Sequence, residues 1–308
     1  MRRLLLLTLV IAAVSAAPAQ AANPWMPYSP YGYYLYLVNC CSPVATWPNQ
    51  RLDANGIPME TRDGGATYHY NPVTVGIFGL QAYSWYLKYG TAQYRQNAIK
   101  AADWFVANQD AQGEWRYTFP YVVGGFGLTL PAGWGSAMAQ GEAMSLLVRV
   151  SHMTGGTSYL LTARAALAPL TKNYAAGGLQ ANFFGHPWYE EYPTQIPSFT
   201  LNGFMFTLVG LYDLNKADPT AGAGPLYTQG INTLAYALPF YDLTTTSAYH
   251  LGHIMRPPRP VYAIDSYHRI VVMLLRVLGA ATPNSIISFY ASRWATYPPC
   301  TGFAICAP

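Results

Sequence analysis

Charged side chains are scarce in this chain of 308 residues, where Asp, Glu, Lys and Arg make up 10% and only 13 residues are acidic. The formal charge is +4, and it falls to +2 when Arg2 and Arg3 of the N-terminal segment are set aside. A global positive field of the kind that attracts nucleic acid is therefore not expected. The chain also lacks any apolar run of about 18 residues, the length that a membrane span needs. We expect neither a nucleic-acid partner nor a transmembrane helix.

The N-terminal segment has the pattern of a secretory signal peptide. Arg2 and Arg3 precede the apolar run 4–14, and the sequence AQA at 19–21 supplies a small-x-small cleavage site. A run of this length is too short to cross a bilayer. We expect residues 1–22 to be removed, with cleavage after residue 21 or 22, and the mature protein to be secreted or periplasmic.

Cysteine is rare, and its four occurrences lie at the two ends of the mature chain: Cys40 and Cys41, then Cys300 and Cys306. A disulfide between adjacent residues is strained, and the two remaining pairings both tie an aromatic-rich N-terminal arm, residues 23–67, to a C-terminal tail, residues 298–308. Which cysteine pairs with which stays open. Four thiolates could instead bind a metal ion, but adjacent cysteines lack the usual ligand spacing. We expect disulfides, no metal and no cofactor.

Apolar residues recur at helical spacing in eight segments between these ends. The segments lie near 73–89, 92–109, 136–153, 157–173, 198–215, 225–239, 266–279 and 283–296. The odd-numbered segments are the most apolar and resemble one another, since Gly76, Gly141 and Gly203 fall at matching points and Arg269 follows 66 residues later. A repeat of helical hairpins predicts an all-α, incomplete α/α toroid of about four hairpins over 68–297. Alternating runs at 114–118 and 179–184 indicate short β-hairpins on its loops.

The inner helices of such a toroid would begin on one face. Helix N-termini carry free N–H groups and a positive dipole end, which favour an anionic ligand. The sequence "EEY", residues 190–192, enters the same face just before the third inner helix. Residues at the other helix starts are Tyr70, Asn71, Ser136, Ser198 and Tyr267.

Four stretches carry a resemblance to a known family: "GWGSAMAQGEAMSLLVR", "WYEEYPTQIPSFTLNGFMFTLVGLYDL", "AYHLGHIM" and "YHR". They resemble the C-terminal catalytic domain of D-glucuronyl C5-epimerases, the heparosan-glucuronate 5-epimerases of heparan sulfate and heparin biosynthesis. The resemblance runs from about Tyr68 to Trp294 and is densest over 133–214. It implies an isomerase that inverts C5 of glucuronate within a polysaccharide to give iduronate. The polysaccharide is then the expected partner, and a homodimer is an open possibility.

By the motifs of that family, the catalytic residues would be Glu191, Tyr192, Tyr249 and Tyr267. Where the family carries an arginine three residues after Tyr249, this chain has Gly252. We expect at least one of three residues near in sequence, Arg256, Arg259 and Arg269, to supply the missing positive charge. The candidates for substrate binding are Tyr70, Asn71, Tyr189, Glu190, Asn202, His253, Arg256, Arg259 and His268.

The expected chemistry explains these residue types. Removing the C5 proton of a uronate adds negative charge to an existing anion, so the site needs a base, an acid on the opposite face and hydrogen-bond donors. We hypothesise that Tyr192 and Tyr267 lie on opposite faces of the ring. Glu191 would polarise one tyrosine or act as the base itself, and Tyr249 would position the sugar. Without the resemblance, a Glu-Glu-Tyr-Pro string is more often a helix cap, and His268 is more simply a structural histidine.

Two other functions stay open on the sequence alone. A polysaccharide lyase would use the same proton abstraction but expel the group at C4, and a non-catalytic glycan-binding protein would use the same cleft. A glycoside hydrolase is disfavoured, because adjacent glutamates on one strand point apart instead of flanking a bond. The glycine-rich loop 121–133 lacks the context of a phosphate-binding loop, and we expect it beside the cleft.

Overall fold

The structure, a computed structural model, describes residues 28–38, 43–124, 127–255, 260–263 and 265–298. The signal peptide, the four cysteines, Arg256 and Arg259 lie outside these ranges, so what was predicted for them stays a prediction. Among the described residues, no helix has the length and hydropathy that crossing a bilayer requires.

Nine α-helices are found in the described residues, and four two-stranded antiparallel sheets lie in the loops between them. The helices are α1 (Pro72–Tyr89), α2 (Ala92–Asn108), α3 (Ala137–Thr154), α4 (Thr157–Ala165), α5 (Leu201–Ala217), α6 (Ala223–Tyr241), α7 (Gly252–Met255), α8 (Asp265–Ala281) and α9 (Ser285–Trp294). The strands pair as β1 (Gln50–Leu52) with β2 (Pro58–Glu60), β3 (Tyr121–Val122) with β4 (Thr129–Leu130), β5 (Gln180–Phe183) with β6 (His186–Tyr189), and β7 (Ala248–His250) with β8 (Val261–Tyr262).

The long helices form hairpins arranged in two layers. Each of α1, α3, α5 and α8 packs against the helix that partners it, namely α2, α4, α6 and α9. The first members also pack side by side in chain order, α1 on α3, α3 on α5 and α5 on α8, which makes them the inner layer. Helix α3 is buried along almost its whole length between its two neighbours. The predicted all-α, incomplete α/α toroid of four hairpins is therefore confirmed.

The inner helices α3 and α5 approach each other through glycine. A Cβ atom placed on Gly141 would lie 2.5 Å from the backbone oxygen of Phe206, and one placed on Gly210 would lie 2.2 Å from the oxygen of Gly141. Distances this short are steric clashes, so either substitution would push the two helices apart. Of the matching glycines in the sequence repeat, Gly141 lies at this close backbone contact, whereas Gly76 and Gly203 face glutamate side chains.

Local backbone constraints explain where the predicted helix boundaries were wrong. Helix α4 ends at Ala165 and not near 173, and a short 3₁₀ helix that begins beside Pro169 follows it. Helix α5 starts at Leu201 and not at 198, because Phe199 has a φ of 52°, which no right-handed helix allows. The β5–β6 hairpin was predicted. The run 114–118 forms only one isolated bridge, from Tyr117 to Trp134, and the β1–β2 hairpin was not foreseen.

One buried arginine joins the described part of the N-terminal arm to two inner helices. Arg149 of α3 is fully buried and pairs with Asp213 of α5 at 2.6 Å. Its guanidinium also donates to the backbone oxygens of Ser29 and Gly32 and to the hydroxyl of Tyr28. The buried guanidinium thus has several hydrogen-bond partners besides the carboxylate, and such partners offset part of the cost of burying its charge.

Candidate active site

A cleft of about 80 Å³ lies where the inner helices α1 and α3 begin. The caps of these helices, Asn71 and Ser136, line it together with Glu191 and Tyr192 from the loop before α5. The remaining lining residues are Arg62, Val73, Tyr117, Tyr121 and Trp134. The N-termini of α1 and α3 thus meet the EEY sequence at one cleft, as predicted for one face of the toroid.

The loop that carries the two glutamates is held by Glu190. Its backbone N–H donates to Leu179 and its backbone oxygen accepts from Ala137 at the start of α3. Its carboxylate, which is fully buried, accepts from the Ser198 hydroxyl at 2.9 Å and from the Phe199 N–H at 3.0 Å. These bonds stabilise the left-handed conformation at Phe199. Glu190 was predicted to bind substrate, but its side chain is engaged on the loop and it is not among the residues that line the cleft.

Glu191 points the other way, into the cleft, against the first turn of α5. A Cβ atom on Gly203 would lie 2.2 Å from the Glu191 Oε2 atom, so glycine is required opposite this carboxylate. Burial raises the pKa of Glu191 to about 7, although hydrogen bonds from Tyr192 and from the Gly203 N–H lower it. Oε2 has no hydrogen-bond partner among the described residues. Such a carboxylate can accept a proton near neutral pH.

A second buried acid, Glu142 on α3, lies behind this site. It is 1% exposed, and neither of its carboxyl oxygens has a hydrogen-bond partner among the described residues. A Cβ atom on Gly76 of the neighbouring helix α1 would lie 3.1 Å from its Oε2 atom. Burial, and then the charge of Glu191, raise the pKa of Glu142 well above its ordinary value. Glu142 therefore stays protonated while Glu191 carries the charge.

Three of the predicted catalytic residues are tyrosines that form one cluster. Tyr192 and Tyr249 share a hydrogen bond between their side chains, and the rings of Tyr249 and Tyr267 meet edge to face with centroids 5.1 Å apart. The end of β7 is bonded to two loops: the Leu251 N–H donates to the Ser198 oxygen of the loop before α5, and His250 Nε2 bonds to the Gly124 oxygen of the β3–β4 loop. Residues distant in sequence are brought together in this way.

All three tyrosines are held in the phenol form. Burial, and then the charge of Glu191, raise the pKa of Tyr192 and of Tyr249 well above the ordinary value. The same two causes raise the pKa of Tyr267, the most exposed of the three. A phenol with a raised pKa is a proton donor and a poor base at neutral pH. Among these groups, Glu191 is the one whose pKa lies near neutral pH.

The other predicted binding residues occupy several environments. Asn71 caps α1, accepting from the N–H groups of Val73 and Thr74, and faces the cleft. The Tyr70 hydroxyl donates to Asp53 at 2.7 Å. Asn202, in the first turn of α5, is buried, and its Oδ1 atom has no hydrogen-bond partner among the described residues.

Several predicted residues are absent from the cleft lining: Tyr70, Tyr189, Asn202, His253 and His268, and also Tyr249 and Tyr267 of the tyrosine cluster. The Tyr189 hydroxyl donates to the Leu226 oxygen at 2.9 Å, which fixes it against α6. The His268 ring bridges Ser247 and the Trp294 oxygen, and its two nitrogens are 3.0 Å from the partner oxygens. His253 lies on α7, and burial lowers its pKa below the ordinary value. His268 thus has the structural environment that its sequence context favoured.

Sequence patterns did not identify one wall of the cleft. The wall is aromatic: the rings of Tyr117 and Trp134 stack at 3.7 Å, and Tyr121 stacks on Trp134 at 5.7 Å and on Tyr192 at 5.2 Å. A sugar can stack its C–H face on such rings. The isolated Tyr117–Trp134 bridge and the β3–β4 hairpin build this wall, and the only signal for it was the glycine-rich loop between them. Arg62, from the N-terminal arm, completes the wall.

A metal site is not formed by the described residues, since no three His, Cys, Asp or Glu side chains group together there.

Comparison with known proteins places these residues in a family. The family model described as "D-glucuronyl C5-epimerase C-terminus" matches residues 109–296, more than half of the chain. This chain belongs to that family. Glu191, Tyr192, Tyr249 and Tyr267 all lie in the matched region, whereas Arg62 and Asn71 precede it.

Two proteins and one solved structure are similar to this chain to different extents. A D-glucuronyl C5-epimerase of Caenorhabditis elegans is 36% identical over 217 residues, which is 67% of this chain and 35% of that protein. An uncharacterized protein of Methanocaldococcus jannaschii is 29% identical over 144 residues, 45% of this chain and 46% of that protein. The chain thus spans less than half the length of these relatives. A family 76 glycoside hydrolase from a bovine Bacteroides thetaiotaomicron strain superposes with a TM-score of 0.48 at 12% identity, covering 84% of this chain and 49% of that one.

Proposed function

We propose that this protein is a uronate C5-epimerase that acts on a sugar within a polysaccharide, with glucuronate, the sugar named for the C. elegans relative, as the first candidate. The observation that carries the proposal is the location of Glu191. Its carboxylate faces a cleft, has a pKa of about 7 and lies beside a cluster of three tyrosines in the phenol form. One group able to take a proton thus lies beside groups able to give one.

The proposed reaction moves one proton off C5 and returns another to the opposite face. The Glu191 carboxylate takes the C5 proton, and the electron pair of the broken C–H bond is delocalised onto the sugar carboxylate. A tyrosine hydroxyl then donates a proton to C5 from the other side, which inverts the configuration. Exchange with solvent water removes the proton from Glu191 and restores the tyrosine. No bond of the polymer is broken, and no electron leaves the substrate.

Within this scheme we assign the two faces to different residues. Glu191 acts from one face with Tyr192, whose hydrogen bond orients the carboxylate. Tyr267, the most exposed of the three tyrosines, acts from the other face. Tyr249 contacts both tyrosines and positions the ring between them. The aromatic wall of Tyr121 and Trp134 supports the stacking of the sugar.

The start of α5 favours the ionised form of Glu191, which is the form that can take a proton. The Gly203 N–H in the first turn of α5 donates to its carboxylate, and a helix N-terminus stabilises negative charge. Because the site is buried and preorganised, these interactions are stronger than in water.

Incubation with a panel of uronate polymers in D2O, followed by NMR, tests the proposal. We expect deuterium at C5 and signals of the inverted uronate, with unchanged chain length. An ultraviolet-absorbing unsaturated uronate and shortened chains would identify a lyase instead. Binding of a polymer without C5 exchange would identify a glycan-binding protein.

The signal-peptide pattern of residues 1–22 leads us to propose that the reaction takes place outside the cytoplasm.

A further inference from the structure

We propose that Arg62 binds the carboxylate of the uronate sugar and gives the cleft its selectivity for acidic over neutral sugars. The proposal rests on the proposed function, because it names the group that recognises the substrate of that same site. Sequence patterns pointed instead to Arg256, Arg259 and Arg269 for this charge.

The first support is the need for a cation in the cleft. A bound uronate carries one negative charge and Glu191 a second, so the site requires a positive group close to the sugar. Among the residues described by the structure, Arg62 is the one Lys or Arg side chain that lines this cleft. It shares the lining with Glu191 and Tyr192, the residues assigned to the chemistry.

The second support is that the Arg62 side chain is held in place. Its Nη2 atom donates to Glu60 Oε1 at 2.6 Å, and the guanidinium lies 5.0 Å from the Phe119 ring centroid and 4.9 Å from that of Tyr121. Cation–π contacts and one ion pair therefore orient a side chain that is still 45% exposed. A preorganised guanidinium loses less entropy when it binds an anion.

The third support is that Arg62 retains donors for a ligand. A guanidinium has five N–H groups, and the contacts among described residues use one of them, for Glu60. Glu60 has other partners on its second oxygen, which accepts from Asn71 at 3.0 Å and from Thr74 at 3.2 Å. Arg62 can thus keep its contact with Glu60 while two further N–H groups bind a carboxylate in the bidentate geometry that arginine favours.

The backbone explains why residue 62 reaches the cleft. Strand β2 ends at Glu60, whose N–H and oxygen both bond to His69 at 2.9 Å, and the Thr61 N–H donates to the Asn49 oxygen. The turn that contains Arg62 is closed by these bonds at the start of α1. The N-terminal arm therefore contributes the proposed carboxylate-binding residue, outside the region that matches the family model.

Binding of a heparosan hexasaccharide and of its carboxyl-reduced counterpart, measured by calorimetry, tests the proposal. The wild-type protein should bind the acidic oligosaccharide about tenfold more tightly than the neutral one. Arg62→Gln should bring the two affinities within about twofold, and Arg62→Lys should keep part of the preference because the charge remains without the fork. In turnover, Arg62→Gln should raise KM about tenfold and also lower kcat, because the sugar carboxylate that Arg62 binds gains negative charge in the transition state.

Arg51→Gln is the matched control, because Arg51 lies on strand β1 of the same N-terminal arm, is exposed and stacks on Tyr68 at 3.9 Å but does not line the cleft. It should keep the wild-type preference. The proposal is overturned if Arg62→Gln keeps that preference, or if the wild-type protein binds both oligosaccharides equally. An Arg62-dependent preference for the acidic sugar in a protein that exchanges no C5 hydrogen would overturn the proposed epimerase activity and leave the role of Arg62 standing.

Discussion

The pH dependence of C5 hydrogen exchange follows from the surroundings of Glu191. Burial raises its pKa from the ordinary 4.5 to about 7. The difference, 7 minus 4.5, corresponds to roughly 3 kcal/mol against ionisation in the folded site. At pH 5 about 1% of the protein would carry the ionised base, and at pH 7 about half would. If Glu191 removes the C5 proton, exchange at low substrate concentration should therefore rise about fiftyfold between pH 5 and pH 7.

The assay is the loss of deuterium from a C5-deuterated uronate oligosaccharide into ordinary water, measured as kcat/KM at several pH values. The free enzyme sets the pH dependence of this parameter. A base with an unshifted pKa of 4.5 would change the rate only about 1.3-fold over the same range, so the two cases are easily separated. A rate that is flat from pH 5 to pH 7 would refute the role given to Glu191.

Glu190→Gln is the matched control for this experiment. It removes a carboxyl group from the adjacent residue and can still accept the Phe199 N–H hydrogen bond. The variant should keep a midpoint near pH 7, whereas Glu191→Gln should lose exchange by at least about 100-fold at every pH.

Three further predictions concern the tyrosines and the buried charges. Tyr192→Phe and Tyr267→Phe should each lower C5 exchange by about 100-fold or more in D2O, and full exchange in both would remove the tyrosines from the mechanism. Glu142 has a raised pKa in the folded state, so its contribution to stability is lost as pH rises above 4.5. Between pH 5 and 7, the unfolding free energy of the wild-type protein should therefore fall more steeply with pH than that of Glu142→Gln, by about 1.4 kcal/mol per pH unit in denaturant titrations. Equal slopes for the two proteins would show that Glu142 ionises normally. Arg149→Met leaves the Asp213 carboxylate buried and unpaired, so it should cost about 3–5 kcal/mol of stability by the same titration and speed proteolysis of the N-terminal arm; a loss below about 1 kcal/mol would contradict this.

Helical periodicity was sufficient to predict the architecture, because each inner helix must bury most of its surface and each outer helix only one face. The matching glycines carried information about packing as well, since Gly141 lies at the contact of α3 with α5. The ends of helices were predicted less accurately where the backbone conformation of a single residue determines where the helix begins. Phe199 adopts a left-handed conformation only because Glu190 and its neighbours hold it there, which periodicity does not report.

The candidate site was predictable where a motif carried it and not where tertiary contacts did. The family motif pointed to Glu191 and Tyr192, but it did not show that the Glu190 side chain binds its own loop. Adjacent side chains on an extended segment face opposite ways, so Glu190 points away from the cleft that Glu191 lines. Arg62 carries no sequence signal. It reaches the cleft through the β1–β2 hairpin and the pairing of Glu60 with His69, two backbone pairings that the sequence pattern did not predict. The expected cysteine cross-links lie outside the described residues and stay predictions.

A crystal structure of the Glu191→Gln variant bound to a uronate oligosaccharide tests the central claim most directly. The substitution keeps the shape of the side chain and stops the reaction, so the bound sugar reports the reactive pose. We predict that C5 of one uronate lies about 3–3.5 Å from the residue 191 amide, with a tyrosine hydroxyl on the opposite face and the sugar carboxylate on Arg62. A sugar bound elsewhere, or one whose C5 faces neither residue 191 nor a tyrosine, would contradict the account.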